Sequence, residues 1–457
     1  MTTPKLPDDT LSVEDETDGT SGQSSPALFV AFCCDDVLAV PRRFDLTDVE
    51  SVLLGRGDRT PHLEDGVLSV SFRDSLMSSS HARLRRNHGK GFVIDDLRSK
   101  NGVMVNGVRV EHAELSDGDR LELGGTFFIF HDGAPSADDT PRAVLGLETL
   151  LPSLACELGA ARDVARSSVP ILVLGETGTG KEVVARAVHT ESRRTGPLVP
   201  VNCAALPAAL VESELFGNKK GAFSGADTDR TGLIPAAHKG TLFLDEIGEL
   251  PLPAQAALLR VRQDGAVTPL GGTKPIACDV RVVSATNCDL PALVESGQFR
   301  ADLFARISGF KLRLRPLRER REDLGLLIAS LVRRLAPERA ASLSFSRTAA
   351  RRLFEHDWPY NVRELEKALA SAFALSTDRI ERQHLQLSTD LPNKQSSPSV
   401  ARPAPVPRSP EHDERRKQLG ELLERHGGNV SAVAREMGKA RVQIRRWMRM
   451  YRLTGKR

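Results

Sequence analysis

The apolar run ILVL (171–174) leads into Gly175-Glu176-Thr177-Gly178-Thr179-Gly180-Lys181-Glu182 and then into the helical pattern EVVARAVHT (182–190). Strand, glycine-rich turn ending in Lys, and helix, in that order, are the context of a phosphate-binding loop. The glycines let backbone N–H groups turn inward on anionic oxygens, and the helix N-terminus adds its partial positive charge. Lys181 then reaches the β- and γ-phosphates of a bound nucleotide. Glu182 stands where the general motif has a hydroxyl for Mg²⁺, so a metal must lean on another group. Asp245, closing TLFLD (241–245), is placed to bind Mg²⁺ directly or through water. Glu246 beside it is suited to polarise an attacking water as general base. Asn287 ends VRVVSATN (280–287), at the tip of a neighbouring strand, where it orders that water or senses the γ-phosphate. A plain glycine turn and an acidic pair capping a turn are the bland alternatives. The upstream loop weighs against both. A further segment, Gly221-Ala222-Phe223-Ser224-Gly225-Ala226, sets one Phe among small residues. Hydrolysis has no use for it; an apolar tip on a flexible loop suits pressing on a partner protein.

These residues need a scaffold of several domains. The chain has 457 residues, about three domains at roughly 100–200 residues each. With 40% apolar and 27% charged residues it is neither fibrous nor wholly disordered. A net charge of +3 says little about partners, but its distribution says more. Residues 1–26, rich in Asp, Glu, Ser, Thr, Gly and Pro, read as a disordered leader carrying Asp8, Asp9, Glu14, Asp15, Glu16 and Asp18 against Lys5. Residues 27–132 hold short strands such as ALFVAF (27–32), GVLSVSF (66–72), GFVIDDL (91–97) and FFIF (127–130), with Asn101-Gly102 and Asn106-Gly107 as turn signals. That pattern favours an all-β sandwich. From about 143 to 390 helices alternate with apolar strands buried on both faces, an α/β pattern. A Pro/Ser-rich linker covers 391–410, and 411–457 is short, helical and basic, with 13 Lys/Arg against 6 acids. That excess points to nucleic acid. No apolar run reaches the roughly 18–20 residues of a membrane span, and the six scattered cysteines show no metal-like spacing. A reducing, cytoplasmic setting is expected.

The segment over about 145–390 resembles the central AAA+ domain of sigma-54-dependent transcription activators, the bacterial enhancer-binding proteins. GETGTGKE, VNCAAL, ELFGNKKGAFSGA, GTLFLDEIGEL, SATNCDL, FRADLFARI and WPYNVREL carry the resemblance. It implies an α/β P-loop ATPase core over 143–314, a helical lid over 315–390, ATP and Mg²⁺, and a homo-oligomeric ring, usually a hexamer. Glu182 matches that family's own residue. Asn202 of VNCAAL would hold Glu246 in an inactive orientation, Arg300 and Arg306 would be arginine fingers reaching a neighbour's γ-phosphate, and Arg363 would be the lid sensor. Either arginine also fits a surface ion pair. The 221–226 loop would contact sigma-54, with Phe223 as the contacting side chain. Ser224 stands for the usual Thr, losing a methyl worth about 0.8 kcal/mol if buried. Asn218, Lys219 and Tyr360 replace the usual His, Glu and Gly.

Residues 27–132 resemble a forkhead-associated (FHA) domain through Gly55-Arg56, Ser78-x-x-His81, Asp96 to Gly102 and Asn106-Gly107. The resemblance implies binding of phosphothreonine peptides. Arg56 would meet the phosphate charge, Ser78 would give a hydroxyl bond, Asn101 would fix the peptide backbone and Lys100 would add charge. His81 reads as a loop brace. A purely structural sandwich is the alternative. The tail, HGGNVSAVAREMGKARVQIRRWMRMYRL, resembles a Fis-type helix-turn-helix. Ile444, Trp447, Met448 and Tyr451 form its core stripe, leaving Arg441, Gln443, Arg445 and Arg446 for the major groove and Arg449 for phosphate. Together these imply an ATP-hydrolysing activator of sigma-54 RNA polymerase, bound to upstream double-stranded DNA and gated by a phosphothreonine protein from a Ser/Thr kinase. The rivals are a DNA-binding regulator, or a phosphopeptide scaffold, without productive sigma-54 coupling.

Overall fold

The computed structural model describes residues 24–387, apart from 59, 88–90, 136–140, 208 and 224–225, together with Leu422, Arg425, His426, Val433, Glu436 and Met437. The acidic leader up to residue 23, the 391–410 linker, Ser224, Gly225 and the DNA-facing Arg441, Gln443, Arg445, Arg446 and Arg449 lie outside the described residues. The chain divides into two units, Met1–Leu391 and Pro392–Arg457.

The first unit begins with two six-stranded sheets. In one, Ser24–Cys33 pairs antiparallel with Thr126–Pro135; the other is built around Ser51–Arg56 and Ala82–Asn87. Leu28, Val30, Phe128 and Phe130 from the first sheet pack with Leu54, Leu84, Phe92 and Ile94 of the second. This is the expected sandwich, but its first strand starts at Ser24, inside the segment expected to be leader. Ser24 and Ser25 pair with Pro135 and Ala134, and the Ser25 hydroxyl donates to Asp45 at 3.0 Å. Asn106-Gly107 turns the hairpin of Val103–Val105 and Val108–Val110 with φ of 51° and 83°, the left-handed pair that such a tight turn requires.

A small hairpin, Arg142–Val144 with Leu147–Thr149, leads into the α/β core. Five parallel strands stand in the order Leu198–Asn202, Thr241–Asp245, Arg281–Thr286, Ile171–Leu174, Phe310–Arg313. Arg281–Thr286 is buried at every position, as expected for a strand covered on both faces. The carboxyl ends of the three central strands lie side by side, so Glu246, Asn287 and Gly175 emerge together. Ligands bind at such strand ends in open α/β sheets.

The helices Leu324–Leu335, Arg347–Glu355 and Asn361–Leu375 form the lid. It shares a hydrophobic core with the sandwich, which the domain boundaries read from sequence do not anticipate. Phe29, Ala31, Phe127 and Ile129 pack with Leu324, Ile328, Phe345, Leu353 and Trp358. Phe127 stacks on Phe354 at 5.1 Å, and Phe32 meets Phe345 edge-on at 5.3 Å. Glu122, 4% exposed, accepts hydrogen bonds from Arg347 at 2.7 Å and Arg351 at 2.9 Å. Gly325 lies so near the sandwich that a Cβ there would come within 2.0 Å of the Ala31 carbonyl oxygen.

In the second unit, His426 N–H donates to Leu422 O and Met437 N–H to Val433 O at 3.0 Å, both helical bonds. Leu422 and Val433 are buried, and Glu436 accepts from Arg425 and His426. No helix among the described residues is long and apolar enough to cross a membrane.

Candidate functional site

The loop between Ile171–Leu174 and the helix Lys181–Glu191 wraps a space shaped for phosphate. Gly178 and Gly180 adopt φ of 81° and 108°, a region that favours glycine. A Cβ on Gly178 would lie 2.2 Å from the Tyr360 carbonyl oxygen and 3.0 Å from the Arg363 Cβ. No side chain caps the helix at Gly180, so its first N–H groups point towards the loop without a side-chain acceptor. Thr179 is buried, and its hydroxyl donates to Glu176 O at 2.8 Å. Glu182 pairs with Arg186 one turn on, at 2.6 Å.

The charged residues are held in one network. The buried Lys181 Nζ donates to Gly175 O at 3.0 Å and to Glu246 Oε1 at 3.3 Å. The other Glu246 oxygen accepts the Asn287 N–H at 3.2 Å, and the Asn287 side chain donates to the Thr177 hydroxyl at 3.4 Å. Glu246 itself sits in the left-handed region, φ 52°, with its N–H on Asp245 Oδ1 at 3.1 Å. Burial lifts the Asp245 carboxyl above its ordinary pKa; Lys181 opposes this and the Glu246 carboxylate adds to it. Two carboxylates side by side, with oxygen the only donor atom, suit a small hard cation, so the residues present fit Mg²⁺. Asn202 stands in register with Asp245 on the neighbouring strand; its Oδ1 accepts the Ala204 N–H at 3.0 Å and caps the short helix Cys203–Ala205, while Glu246 accepts from the Lys181 ammonium and the Asn287 N–H.

The lid closes on this loop through residues that the sequence reading passed over. Arg318 grips Glu176 with two bonds, 2.6 and 2.8 Å, and holds that carboxyl below its ordinary pKa. Asn361 Nδ2 donates to Thr177 O at 3.1 Å and to Glu176 Oε2 at 3.2 Å, and Val362 N–H to Gly178 O at 3.0 Å. Asn361 lies two positions before Arg363 in a motif already singled out, so the signal was present. Arg300 and Arg306 are exposed on the helix Ala301–Ile307 and its cap. Arg300 pairs with Asp302 at 2.7 Å, and among the described residues no hydrogen bond joins it to the phosphate loop of its own chain.

On the same core Phe223 stands at a loop tip, 39% exposed. Gly221 N–H donates to Ala226 O at 2.8 Å, and Ala226 N–H to Phe223 O at 3.0 Å. Ala222 packs against Gly271, where a Cβ would come within 2.8 Å of it. Asn218 and Lys219, unusual for the resembling family, brace the base of the loop. Buried Asn218 donates to Thr228 O at 3.1 Å, and Lys219 pairs with Asp229 at 2.6 Å.

The sandwich brings its own four predicted residues to one end. Arg56, exposed at the end of its strand, donates its N–H to Ser78 O at 2.8 Å. The Ser78 hydroxyl accepts the Lys100 N–H at 3.1 Å, and Asn101 Nδ2 donates to Leu76 O at 2.6 Å. His81 is the brace expected of it. Fully buried, its Nδ1 accepts the Ser78 N–H at 3.0 Å and its Nε2 faces Gly102 O at 3.1 Å. Burial lowers its pKa, which keeps the ring neutral.

Comparisons with known proteins show what these regions are similar to. The family described as "Sigma-54 interaction domain" matches residues 152–313, "FHA domain" matches 52–124 and "AAA+ ATPase lid domain" matches 318–402. The chain is 44% identical over 296 residues to the DNA-binding transcriptional activator HyfR of Escherichia coli (strain K12), covering 62% of this chain and 44% of HyfR. It is 40% identical over 311 residues to the response regulator PilR of Pseudomonas aeruginosa, covering 66% of this chain and 69% of PilR. The chain thus spans less than half of the length of HyfR and about two thirds of that of PilR. Among solved structures, NtrX from Brucella abortus in complex with ATP is 28% identical with a TM-score of 0.48, covering 67% of this chain and 69% of that one.

Proposed function

The chain belongs to the sigma-54-interacting transcription regulators, with an AAA+ lid and an FHA domain in the same polypeptide, and we propose that it is an ATP-hydrolysing activator that remodels sigma-54 RNA polymerase for promoter opening. One observation carries this reading: the Lys181–Glu246–Asn287 network and the outward Phe223 tip belong to the same α/β core. Incoming γ-phosphate competes for the Lys181 ammonium. Glu246 is thereby released, and an Oε atom accepts the proton of the attacking water while the Asn287 N–H keeps its partner oxygen oriented. Asp245 would hold a Mg²⁺ ion, which would supply charge neutralisation on the phosphates. Arg363, against Gly178, reports the phosphate state to the lid. Arg300 exchanges Asp302 for the phosphate of a neighbouring subunit, and Arg306 joins it. Hydrolysis then depends on assembly into a ring, a hexamer in this reading. Phe223 transmits the change to sigma-54, the tail anchors the ring to upstream DNA, and the FHA apex gates assembly by docking phosphothreonine.

The test is ATPase rate against protein concentration, with and without sigma-54, alongside transcription from a sigma-54 promoter. Turnover per subunit rises with concentration, and Phe223→Ala keeps hydrolysis yet loses activation. Transcription that persists without sigma-54 excludes this reading.

A further inference from the structure

Three buried charged side chains at the edge of the lid have no task in the reading above. Arg320, Glu322 and Asp323 stand in and just before the short turn Arg321–Asp323. Each reaches a different part of the molecule. Arg320 Nη2 donates to Thr179 O of the phosphate loop at 3.0 Å. Glu322 Oε1 pairs with His131 Nε2 of the sandwich at 2.5 Å. Asp323 accepts the Thr149 hydroxyl at 2.8 Å and the Leu150 N–H at 2.7 Å, where the linker hairpin ends. Stability alone does not account for the set. Arg320 Nε and Glu322 Oε2 are buried without a hydrogen-bond partner among the described residues, a cost that apolar side chains of similar volume avoid. Arg281 is the contrast: it is also buried, but its bonds go to the Val164, Ser167 and Val169 carbonyls of one and the same core.

Two of the three arms end at the start of the phosphate-loop helix. A trans peptide is planar, with its C=O and N–H pointing opposite ways. The Thr179 oxygen and the Gly180 N–H share one such plane, so a bond that draws the oxygen towards the lid turns the N–H away from it. Gly180, without a Cβ and at φ 108°, does little to fix that plane by itself. The Asp323 arm arrives at the same place: Thr149 ends the strand Leu147–Thr149, and the Leu147 side chain lies 3.4 Å from where a Gly180 Cβ would stand. The Glu322 arm runs the other way. His131 sits on the strand Thr126–Pro135, its ring edge-on to Phe29 at 5.4 Å and its Nδ1 on Asp117 at 2.9 Å. One residue separates Arg320 from Glu322, so neither moves far without the other. A displacement of about 1 Å carries the Arg320 bond beyond hydrogen-bonding range.

We propose that Arg320 and His131 are positioning residues for ATP, joined through the 320–323 turn, so that the sandwich seated on the lid holds the Gly180 N–H in its phosphate-binding orientation. The proposal rests on the reading of the loop as an ATP site. Neither residue acts on the nucleotide directly: Arg320 works through the Thr179–Gly180 peptide, and His131 through Glu322. A backbone N–H meets phosphate in the ground state and in the transition state alike. Its misplacement therefore raises KM and leaves kcat nearly unchanged. A sandwich lifted from the lid lowers ATP affinity, which gives it a route to the nucleotide site separate from ring assembly.

The experiment is equilibrium binding of a fluorescent ATP analogue to the full-length chain, with steady-state ATPase at one fixed, high protein concentration. Arg320→Met keeps most of the buried stem but no donor, and weakens binding about tenfold. His131→Leu weakens it by about threefold to tenfold. KM rises by the same factors while kcat stays within about twofold. The double variant binds no more weakly than Arg320→Met, because one path carries both effects. Glu122→Ala loosens the same sandwich–lid interface away from the turn, and changes affinity by less than about twofold. Parent-like affinity in His131→Leu overturns the relay, as do losses that multiply in the double variant. A loss in Glu122→Ala as large as that in His131→Leu also overturns it, since the whole interface then carries the effect. Should Arg320→Met fail to fold by its melting curve, Glu322→Gln decides: it weakens binding without adding to His131→Leu, or the relay is wrong. If the unmodified chain binds no ATP analogue, the reading of the loop falls and takes the relay with it. Binding by the parent that every variant matches overturns the relay alone.

Discussion

In the proposed function the molecule has two phosphate sites, and they treat their charges in opposite ways. In the nucleotide pocket Lys181 is already engaged by Glu246, and Arg318 by Glu176. Arg300 is occupied by Asp302. At the FHA apex Arg56, Arg98, Lys100 and Arg109 point into solvent with no acidic partner among the described residues. A site that must switch keeps its catalytic groups tied to one another, and the ligand works by exchanging partners. A site that only captures leaves its cations open, because pre-paired charges would have to be separated before binding. The shared core of sandwich and lid joins the two sites, since the same lid that packs on Phe127 also sets Asn361 and Val362 on the phosphate loop.

The largest effect expected is at the switching site. Glu246→Gln removes the proton acceptor but keeps the size of the side chain and one bond to Lys181. ATP turnover should fall about 10²–10⁴-fold, the usual worth of a general base, while binding of a fluorescent ATP analogue persists. Turnover within a factor of a few of the parent protein would move the base elsewhere and dissolve the contrast. At the capturing site Arg56→Ala deletes one charge-assisted bond, worth roughly 1.5–3 kcal/mol. Phosphothreonine peptide affinity should drop by about tenfold to a hundredfold with ATPase unchanged. Loss of ATPase in that variant would mean that the apex is part of the switch.

Between the two sites lies the junction. Glu122→Ala strands Arg347 and Arg351, and because both are only partly buried the cost is set below that of a fully buried pair, at about 1–3 kcal/mol. Thermal unfolding should separate into a sandwich transition and a later core transition, with Glu122→Gln giving an intermediate result. A single sharp transition at the parent temperature would show that the apolar contacts alone hold the junction.

How much of this was legible depends on distance along the chain. The phosphate loop, the Asp245–Glu246 pair and Asn287 could be read because their chemistry needs fixed types at the ends of consecutive strands. Glu122 and Arg347 stand 225 residues apart, and no local pattern links them. Yet a trace existed. A sandwich strand with one wet face alternates, whereas ALFVAF (27–32) and FFIF (127–130) are unbroken. The structure explains why: Leu28, Val30, Phe128 and Phe130 fill the sandwich, while Phe29, Ala31, Phe127 and Ile129 face the lid. Ser24 and Ser25 read as leader because they are polar, and only the partner strand draws them into the sheet. For Asn202, motif position places it beside the end of the Asp245 strand but does not reveal that its side-chain oxygen caps a short helix. Which of two nearby acceptors or donors wins is a matter of ångströms, beyond what spacing encodes.

The smallest effect expected concerns pH at the point where the linker hairpin meets the lid. Asp323 is fully buried, and burial raises its carboxyl to about 7, against the pull of Arg320, the Leu150 N–H and the Thr149 hydroxyl. Unfolded, it titrates near the ordinary aspartate value of about 3.9. Between these values the native state keeps a proton that the unfolded state has lost, so stability falls as pH rises through this window, by at most about 1.4 kcal/mol per pH unit for one proton. His131 acts in the same direction. Burial opposes its charge, but the bonds to Glu322 and Asp117 prevail and raise its pKa, so its contribution is present at low pH and is lost as pH rises through the folded value. Melting temperature should therefore decline from pH 5 to pH 7.5, and Asp323→Asn, which keeps a side-chain acceptor for Leu150, should flatten the decline without removing the His131 part. An unchanged slope in that variant would assign the whole dependence to His131 and detach the nucleotide-side linker from the pH response of the junction.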